Sequence, residues 1–484
     1  MPKQKELVKN TIVIAAGRIS TQFLTFLLLP IYTSYLATSE FGTVDLIMTY
    51  VSLIAPLVTL QLEMSAFRFL IDARTRTTEA RKIISSIIRI VGLIAMGSLV
   101  VVAIVNIFIA IPHVWLIAAT MLAVIASNML LQITRGFGNN VKYSIASVIA
   151  GVATIITNVV FIVFMGLGIE GMLLAAVLGN LACAGYLFVS QQIYKYIDFG
   201  SRDKAFERKL LRYSTPLVPN GMSWWLINAA DRTIVAIALG VASNGIYAIA
   251  YKFPLIFSSL FSFFGMSWTE SASMHIDSSD RDKFFSQTMN ASIRLFGALG
   301  LCIIAGVSLV FTLIVSKTYH EAYLYIPVLI AGTFLNSIVS LYGAIYIAKK
   351  MTKQVMNSSI VAAGVSILLT VCLIPLLGLF APALAMVAAY GAMSIYRHFD
   401  VKKYVDIKYD YKAFSILALA FVVVLTFYYL NNPLFNALNV LIALGFSVAL
   451  NRTIISIIKT KLFARLRPLT PDQQILEEIE EKKL

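Results

Sequence analysis

At 484 residues, with 59% hydrophobic and only 13% charged residues and a mean hydropathy of +0.83, the chain has too little polar surface to cover the roughly three soluble domains its length suggests. The formal net charge of +15 points to nucleic acid only until the bases are placed along the chain. Cys183, Cys302 and Cys372 lie inside apolar runs without CxxC or Cys/His spacing, which excludes a disulfide framework and a zinc module.

A bilayer core takes about 20 apolar residues per helix, because lipid offers the backbone no hydrogen bonds. About fourteen segments meet that need: 12–36, 44–62, 83–111, 114–133, 143–165, 171–189, 216–239, 245–267, 292–315, 325–348, 358–376, 381–396, 413–429 and 438–457. No small-residue cleavage site follows the first, so it is read as a membrane helix and not a signal peptide. The predicted fold class is an all-α polytopic membrane protein.

Loop charge checks the count, since Lys and Arg accumulate on the cytoplasmic side. Bases cluster at Lys3, Lys5 and Lys9, at Arg74 to Lys82, at Arg135 and Lys142, from Lys195 to Arg212, at Arg281 and Lys283, at Lys349 to Lys353, from Arg397 to Lys412 and from Lys459 to Arg467. The intervening loops hold Glu40, Glu170 and Glu321 and, as a base, Lys317. Both termini are therefore placed in the cytoplasm. The tail after Pro471, ending in Glu477, Glu478, Glu480, Glu481, Lys482 and Lys483, reads as a solvated helix.

An internal repeat is sought next, because transporters are often built from repeated bundles. The nine residues 36–44, LATSEFGTV, resemble 239–247, LGVASNGIY, and Gly166-Leu167 can be laid on Gly378-Leu379. The expected organisation is a six-helix lobe over 1–193, a basic cytoplasmic linker over 194–215, a second six-helix lobe over 216–396 related by a pseudo-twofold axis along the membrane normal, helices thirteen and fourteen over 397–457, and a cytoplasmic tail over 458–484.

Gly166-Leu167-Gly168-Ile169-Glu170-Gly171 fits GxGxxG, but it follows a membrane helix and not a strand, so it is read as an interhelical turn. No GxxxxGK[ST] occurs, and His113, His275, His320 and His398 have no ligand spacing. A transporter is expected, not an enzyme, without catalytic or metal-ligating residues.

Charges inside membrane helices carry the functional signal, because each costs about 2.5 to 3.5 kcal/mol to insert. Arg18 lies in segment one with Thr11, Gln22 and Thr25 at helical spacing, a stripe suited to a hydrated cavity. In segment seven Asn220, Trp224, Asn228 and Asp231 share one helical face, and Arg232 follows. Lys252 in segment eight lies at similar depth. An internal Asp231–Arg232 or Asp231–Lys252 pair is the bland reading. One carboxylate cannot neutralise two cations, however, and the remaining charge calls for an anion. Glu63 and Arg68, flanking Ser65, stand either as an inner gate or as an interfacial charge pair. Pro30, Pro216, Pro219 and Pro254 are candidate pivots.

These residues bring a family into view. Lys9-Asn10-Thr11, Gly17, Pro30, Glu40-Phe41-Gly42, Pro216-Leu217-Val218-Pro219, Ser223-Trp224-Trp225, Asp231-Arg232, Gly245-Ile246-Tyr247-Ala248 and Tyr251-Lys252 resemble the polysaccharide flippases of the multidrug/oligosaccharidyl-lipid/polysaccharide exporter superfamily. The resemblance implies an O-antigen or teichoic-acid type flippase that moves undecaprenyl-diphosphate-linked oligosaccharide across the bacterial cytoplasmic membrane by alternating access. It implies Arg18, Arg232 and Lys252 on the diphosphate, Asp231 setting their geometry, Gln22 and Asn228 lining the site, and Trp224 or Trp225 against sugar rings. Segments thirteen and fourteen would hold the polyprenyl tail. The implied partners are the lipid-linked glycan, the bilayer, and a polysaccharide polymerase or glycosyltransferases, with no nucleic acid. No cofactor is expected; Asp231 either takes a coupling ion, Na⁺ or H⁺, or simply holds Arg232. A cation-coupled multidrug exporter is the alternative within the superfamily; a membrane glycosyltransferase, which needs a substantial outer loop, is the alternative outside it.

Overall fold

A computed structural model describes residues 26–198, 200, 202–452 and 456, with the side chains of Asn220, Ser223, Trp224, Leu226, Ile227, Asn228 and Thr352 outside the description. Arg18 and Gln22 lie outside the described residues, as does the acidic tail. Every other apolar segment is helical, as long runs without water to bond their backbone must be. In chain order the helices are α1 (Leu29–Tyr35), α2 (Thr38–Thr59), α3 (Leu62–Asp72), α4 (Thr77–Phe108), α5 (Val114–Gly136), α6 (Asn140–Asn158), α7 (Gly168–Ser190), α8 (Lys204–Ser214), α9 (Leu217–Leu239), α10 (Val241–His275), α11 (Arg281–Ile314), α12 (Ala322–Ala348), α13 (Thr352–Leu377), α14 (Phe380–Val401), α15 (Tyr411–Leu430) and α16 (Pro433–Leu450). Among the described residues 11 helices are long and apolar enough to cross a membrane. Helices α9 and α14, of 23 and 22 residues, match them in length but are more polar.

The described residues pack as two units: one runs to Ser278 and includes Val310–Tyr404, the other holds Ser279–Leu309 and the chain from Val405. In the first unit, Val51, Ala55 and Val58 of α2 pack with Leu62, Ala66 and Leu70 of α3, Ile83, Ile84 and Ile87 of α4, and Ile125 and Ile133 of α5. The opposite side of α4 is bare and apolar, with Ile107 and Phe108 about four-fifths exposed, a face suited to lipid. Between α6 and α7, Gly166 (φ +67°) and Gly168 (φ +52°) make the interhelical turn that the glycine-rich motif predicts.

Residues 194–215 do more than link. Ser85 of α4 donates to the Tyr196 carbonyl at 2.8 Å, Ser65 of α3 donates to that of Leu210 at 2.9 Å, and Lys82 pairs with Asp203 at 2.5 Å. Buried Glu207 of α8 takes both Arg89 of α4 and Arg202 at 3.2 Å. The linker is thus docked on α3 and α4.

In the second unit, α15 starts on an Asp410 cap and α16 on an Asn432 cap. Arg294 of α11 meets Asp410 at 3.1 Å, and Asn436 of α16 donates to the Ser308 carbonyl at 2.9 Å. The sequence reading groups segment nine with 216–396, whereas Ser279–Leu309 packs with α15 and α16.

Candidate translocation site

Helices α2 and α10 run in the same direction and meet at their first turns. Asn244 of α10 donates its amide to the Gly42 carbonyl at 3.0 Å and approaches Asp45 Oδ2 at 3.4 Å. One turn deeper, Asp45 Oδ2 lies 3.3 Å from Arg232 Nε of α9, both side chains being less than one-fifth exposed. The Arg232 guanidinium stands 5.1 Å over the Tyr251 ring, and the Lys252 ammonium 5.9 Å from the centre of the Phe41 ring. Three helices, α2, α9 and α10, thus bring two bases and one acid to a common depth.

Asp231, which the resemblance implies sets this geometry, makes its own hydrogen bonds beside it. Successive residues on a helix point about 100° apart, so while Arg232 turns to α2, Asp231 turns to Tyr247 of α10. There its Oδ2 accepts from the Tyr247 hydroxyl at 2.6 Å and its Oδ1 from the Arg232 backbone N–H at 2.9 Å. Asp231 also lines a small cavity of about 30 Å³ with Tyr251, Ser366, Thr370 and Tyr390. The carboxylate that answers Arg232 is Asp45. Among the described residues no carboxylate comes within ion-pair distance of Lys252.

Trp225 is placed differently from a sugar platform. Its indole N–H donates to the Thr49 carbonyl at 2.9 Å, its ring stacks on Tyr50 at 6.2 Å, and it is 8% exposed. It joins α9 to α2. The side chains of Trp224 and Asn228 lie outside the description. Glu63 and Arg68 do not pair: five residues apart on α3 they point to different sides, and Arg68 binds Asp72 at 2.7 Å.

Sequence reasoning missed several groups. Asp45 is not singled out there, although seven residues into α2 place it roughly 10 Å along the helix. Tyr247 and Tyr251, four apart, flank both charges. Arg89 sits inside segment three and pairs with Glu207. Arg397, read as a loop base, is 2% exposed and donates to Ser358 Oγ at 2.8 Å and to the Val339 carbonyl at 2.9 Å.

A family profile described as "Polysaccharide biosynthesis protein" matches residues 7–269. No curated protein sequence matches the chain. Among solved structures, the lipid II flippase MurJ in an inward closed conformation is similar with a TM-score of 0.66 at 18% identity, over 92% of this chain and 100% of that one. An inward-facing multidrug resistance MATE family transporter of the MOP superfamily gives a TM-score of 0.62 at 12% identity, over 81% and 98%. An outward-facing MATE family transporter of that superfamily gives 0.55 at 13%, over 82% and 96%. At these identities the likeness shows a shared polytopic all-α membrane fold.

Proposed function

Because the chain belongs to the polysaccharide biosynthesis protein family and has the membrane-transporter fold, we propose that it is a flippase for polyprenyl-diphosphate-linked oligosaccharide. It carries this substrate from the cytoplasmic to the outer leaflet of a bacterial cytoplasmic membrane by alternating access. The observation that carries the reading is Lys252, an ammonium in a membrane helix that has no carboxylate of its own among the described residues and stands beside Arg232. A diphosphate supplies the missing negative charge, and a guanidinium matches phosphate oxygens with paired N–H donors. In a site of low dielectric that attraction is far stronger than in water.

Asp45 holds Arg232 in position until phosphate competes for the same guanidinium. Arg18 belongs to the same proposal on sequence grounds. The basic loops face the cytoplasm, as loop charge demands, so both termini lie there. Asp231, which lines a small cavity with Ser366 and Thr370, takes the coupling ion, Na⁺ or a proton. A polysaccharide polymerase or glycosyltransferases acting on the same glycan are the expected protein partners, and no chemistry is performed on the substrate.

The test is neutral substitution of Arg18, Arg232 and Lys252 in cells that depend on the gene, with surface glycan as the readout, followed by flipping of a lipid-linked oligosaccharide in liposomes. Undiminished surface glycan after loss of all three charges would sink the site. A cation-coupled drug exporter is the second reading, favoured by the pair of intramembrane acids Asp45 and Asp231. Sensitivity to cationic dyes with normal surface glycan on deletion would select it.

A further inference from the structure

Helix α2 ends in an unusual way. Pro56 has no N–H to give the Ser52 carbonyl, and Leu60 (φ 49°) and Gln61 (φ 57°) take the left-handed conformation in succession before α3 begins. Neither is a glycine, so the turn is held against its local preference. Its result is to swing Glu63, in the first turn of α3, back toward α2. There Glu63 lines a cavity of about 210 Å³ together with Ser52, Thr59 and Pro56 of α2 and Asn128 of α5.

Glu63 has one oxygen without a partner. Its Oε2 is closed to solvent and makes no hydrogen bond within the described residues, while the carboxylate takes hydrogen bonds from the Thr59 hydroxyl and from its own backbone N–H. The neighbouring bases are taken: Arg68 by Asp72, and Arg135 by Gln132 and the rings of Phe67 and Tyr143. A part-buried carboxylate with one oxygen sealed from solvent and unpaired is best answered by a positive charge or a proton. A proton would use the carboxylate alone, whereas this cavity also presents the Ser52 and Thr59 hydroxyls and the Asn128 amide, all neutral oxygen donors.

We propose that the cavity between α2, α3 and α5 is a monovalent-cation site, with the Glu63 carboxylate as its charge and Ser52, Thr59 and Asn128 as its neutral oxygens. Hard oxygen ligands suit alkali cations, and one carboxylate balances one positive charge. A divalent ion is poorly served, because no group of three or more acidic, His or Cys side chains occurs among the described residues. The volume leaves room for the ion to keep part of its water shell, each water taking about 30 Å³. The site shares no lining residue with the Asp231 cavity and stands whichever substrate is carried.

The experiment uses the full chain purified in lipid nanodiscs, with unfolding midpoints measured at constant ionic strength in Na⁺, K⁺ or choline. An Asp231→Asn background silences the proposed coupling site. In it, Na⁺ or K⁺ raises the midpoint saturably over choline, by about 2 °C or more, and Glu63→Gln abolishes the rise while leaving the choline midpoint in place. Asn128→Ala, at a more exposed position, shifts saturation to higher cation concentration and guards against a misfolded Glu63 variant. An unchanged cation response in both variants, or no response in the Asp231→Asn protein, overturns the proposal.

Discussion

Gly42 and Gly245 meet backbone to backbone where α2 and α10 cross: a Cβ on Gly42 would lie 2.1 Å from the Val241 carbonyl oxygen, and one on Gly245 2.0 Å from that of Thr38. Each oxygen belongs to the residue four before the opposite glycine, so the same contact is made twice about a local twofold axis. The axis passes through the two copies of the repeated nine-residue stretch.

Alanine at either position must push the helices apart, since real Cβ contacts stay beyond 3.0 Å. Overpacking of this kind costs about 1 to 3 kcal/mol. Gly42→Ala and Gly245→Ala are expected to be made and inserted at near-normal levels yet to lose surface-glycan complementation. The substitution Gly306→Ala, where a Cβ meets nothing within 4 Å, should be silent. Full complementation by both interfacial variants would show that the close approach is dispensable.

The Asp45–Arg232 pair separates holding the fold from binding substrate. Both side chains are mostly buried, and removing one partner leaves the other charge without an answer, a loss of about 3 kcal/mol. Asp45→Asn and Arg232→Gln should each lower the unfolding midpoint of the purified protein. The double variant should recover most of that loss, because neither charge of the pair is left alone, and still fail to transport. Recovery of transport by the double variant would reduce Arg232 to a packing residue.

How much of this was legible without coordinates depends on the range of the contact. Spans are read from local composition, and all segments within the described residues appear as helices in their places. Asp45 could not be matched to Arg232 by spacing, because they are brought together across two helices by the Gly42 and Gly245 crossing. The same limit hides Arg397: its neighbours Arg397-His398-Phe399-Asp400 read as a loop, while Ser358 of α13 and Val339 of α12 bury it at the end of α14. The Glu63 cavity depends on two left-handed residues, Leu60 and Gln61, that carry no glycine to announce them.

The proposed coupling at Asp231 can be measured directly. In liposomes under an imposed Na⁺ or proton gradient, Asp231→Asn should lose gradient-driven flipping by about tenfold, equivalent to about 1.4 kcal/mol. Binding of the lipid diphosphate should survive, since the Asp231 side chain is hydrogen-bonded to Tyr247 and Asp45 still pairs with Arg232. Gradient dependence equal to wild type would move the coupling ion elsewhere, and the Glu63 cavity would be the next place to measure.

The docked linker predicts an acid response with a definite sign. The Lys82 ammonium bonded to Asp203 holds that carboxylate below its usual range, helped by the Phe206 N–H that Asp203 caps at the start of α8. A lowered folded value means that the stabilisation is present above the ordinary carboxylate range, about pH 4, and is lost as pH falls through the lowered value. Amide exchange over residues 204–214, corrected for its intrinsic rate, should therefore stay flat from pH 7 to about pH 4 and rise below that. Removing the main cause with Lys82→Met brings the folded value back toward the ordinary one, so exchange should already be raised at pH 7 and the further rise below about pH 4 should shrink. A Lys82→Met profile superimposable on wild type would mean that the ion pair contributes nothing to holding α8 on α4.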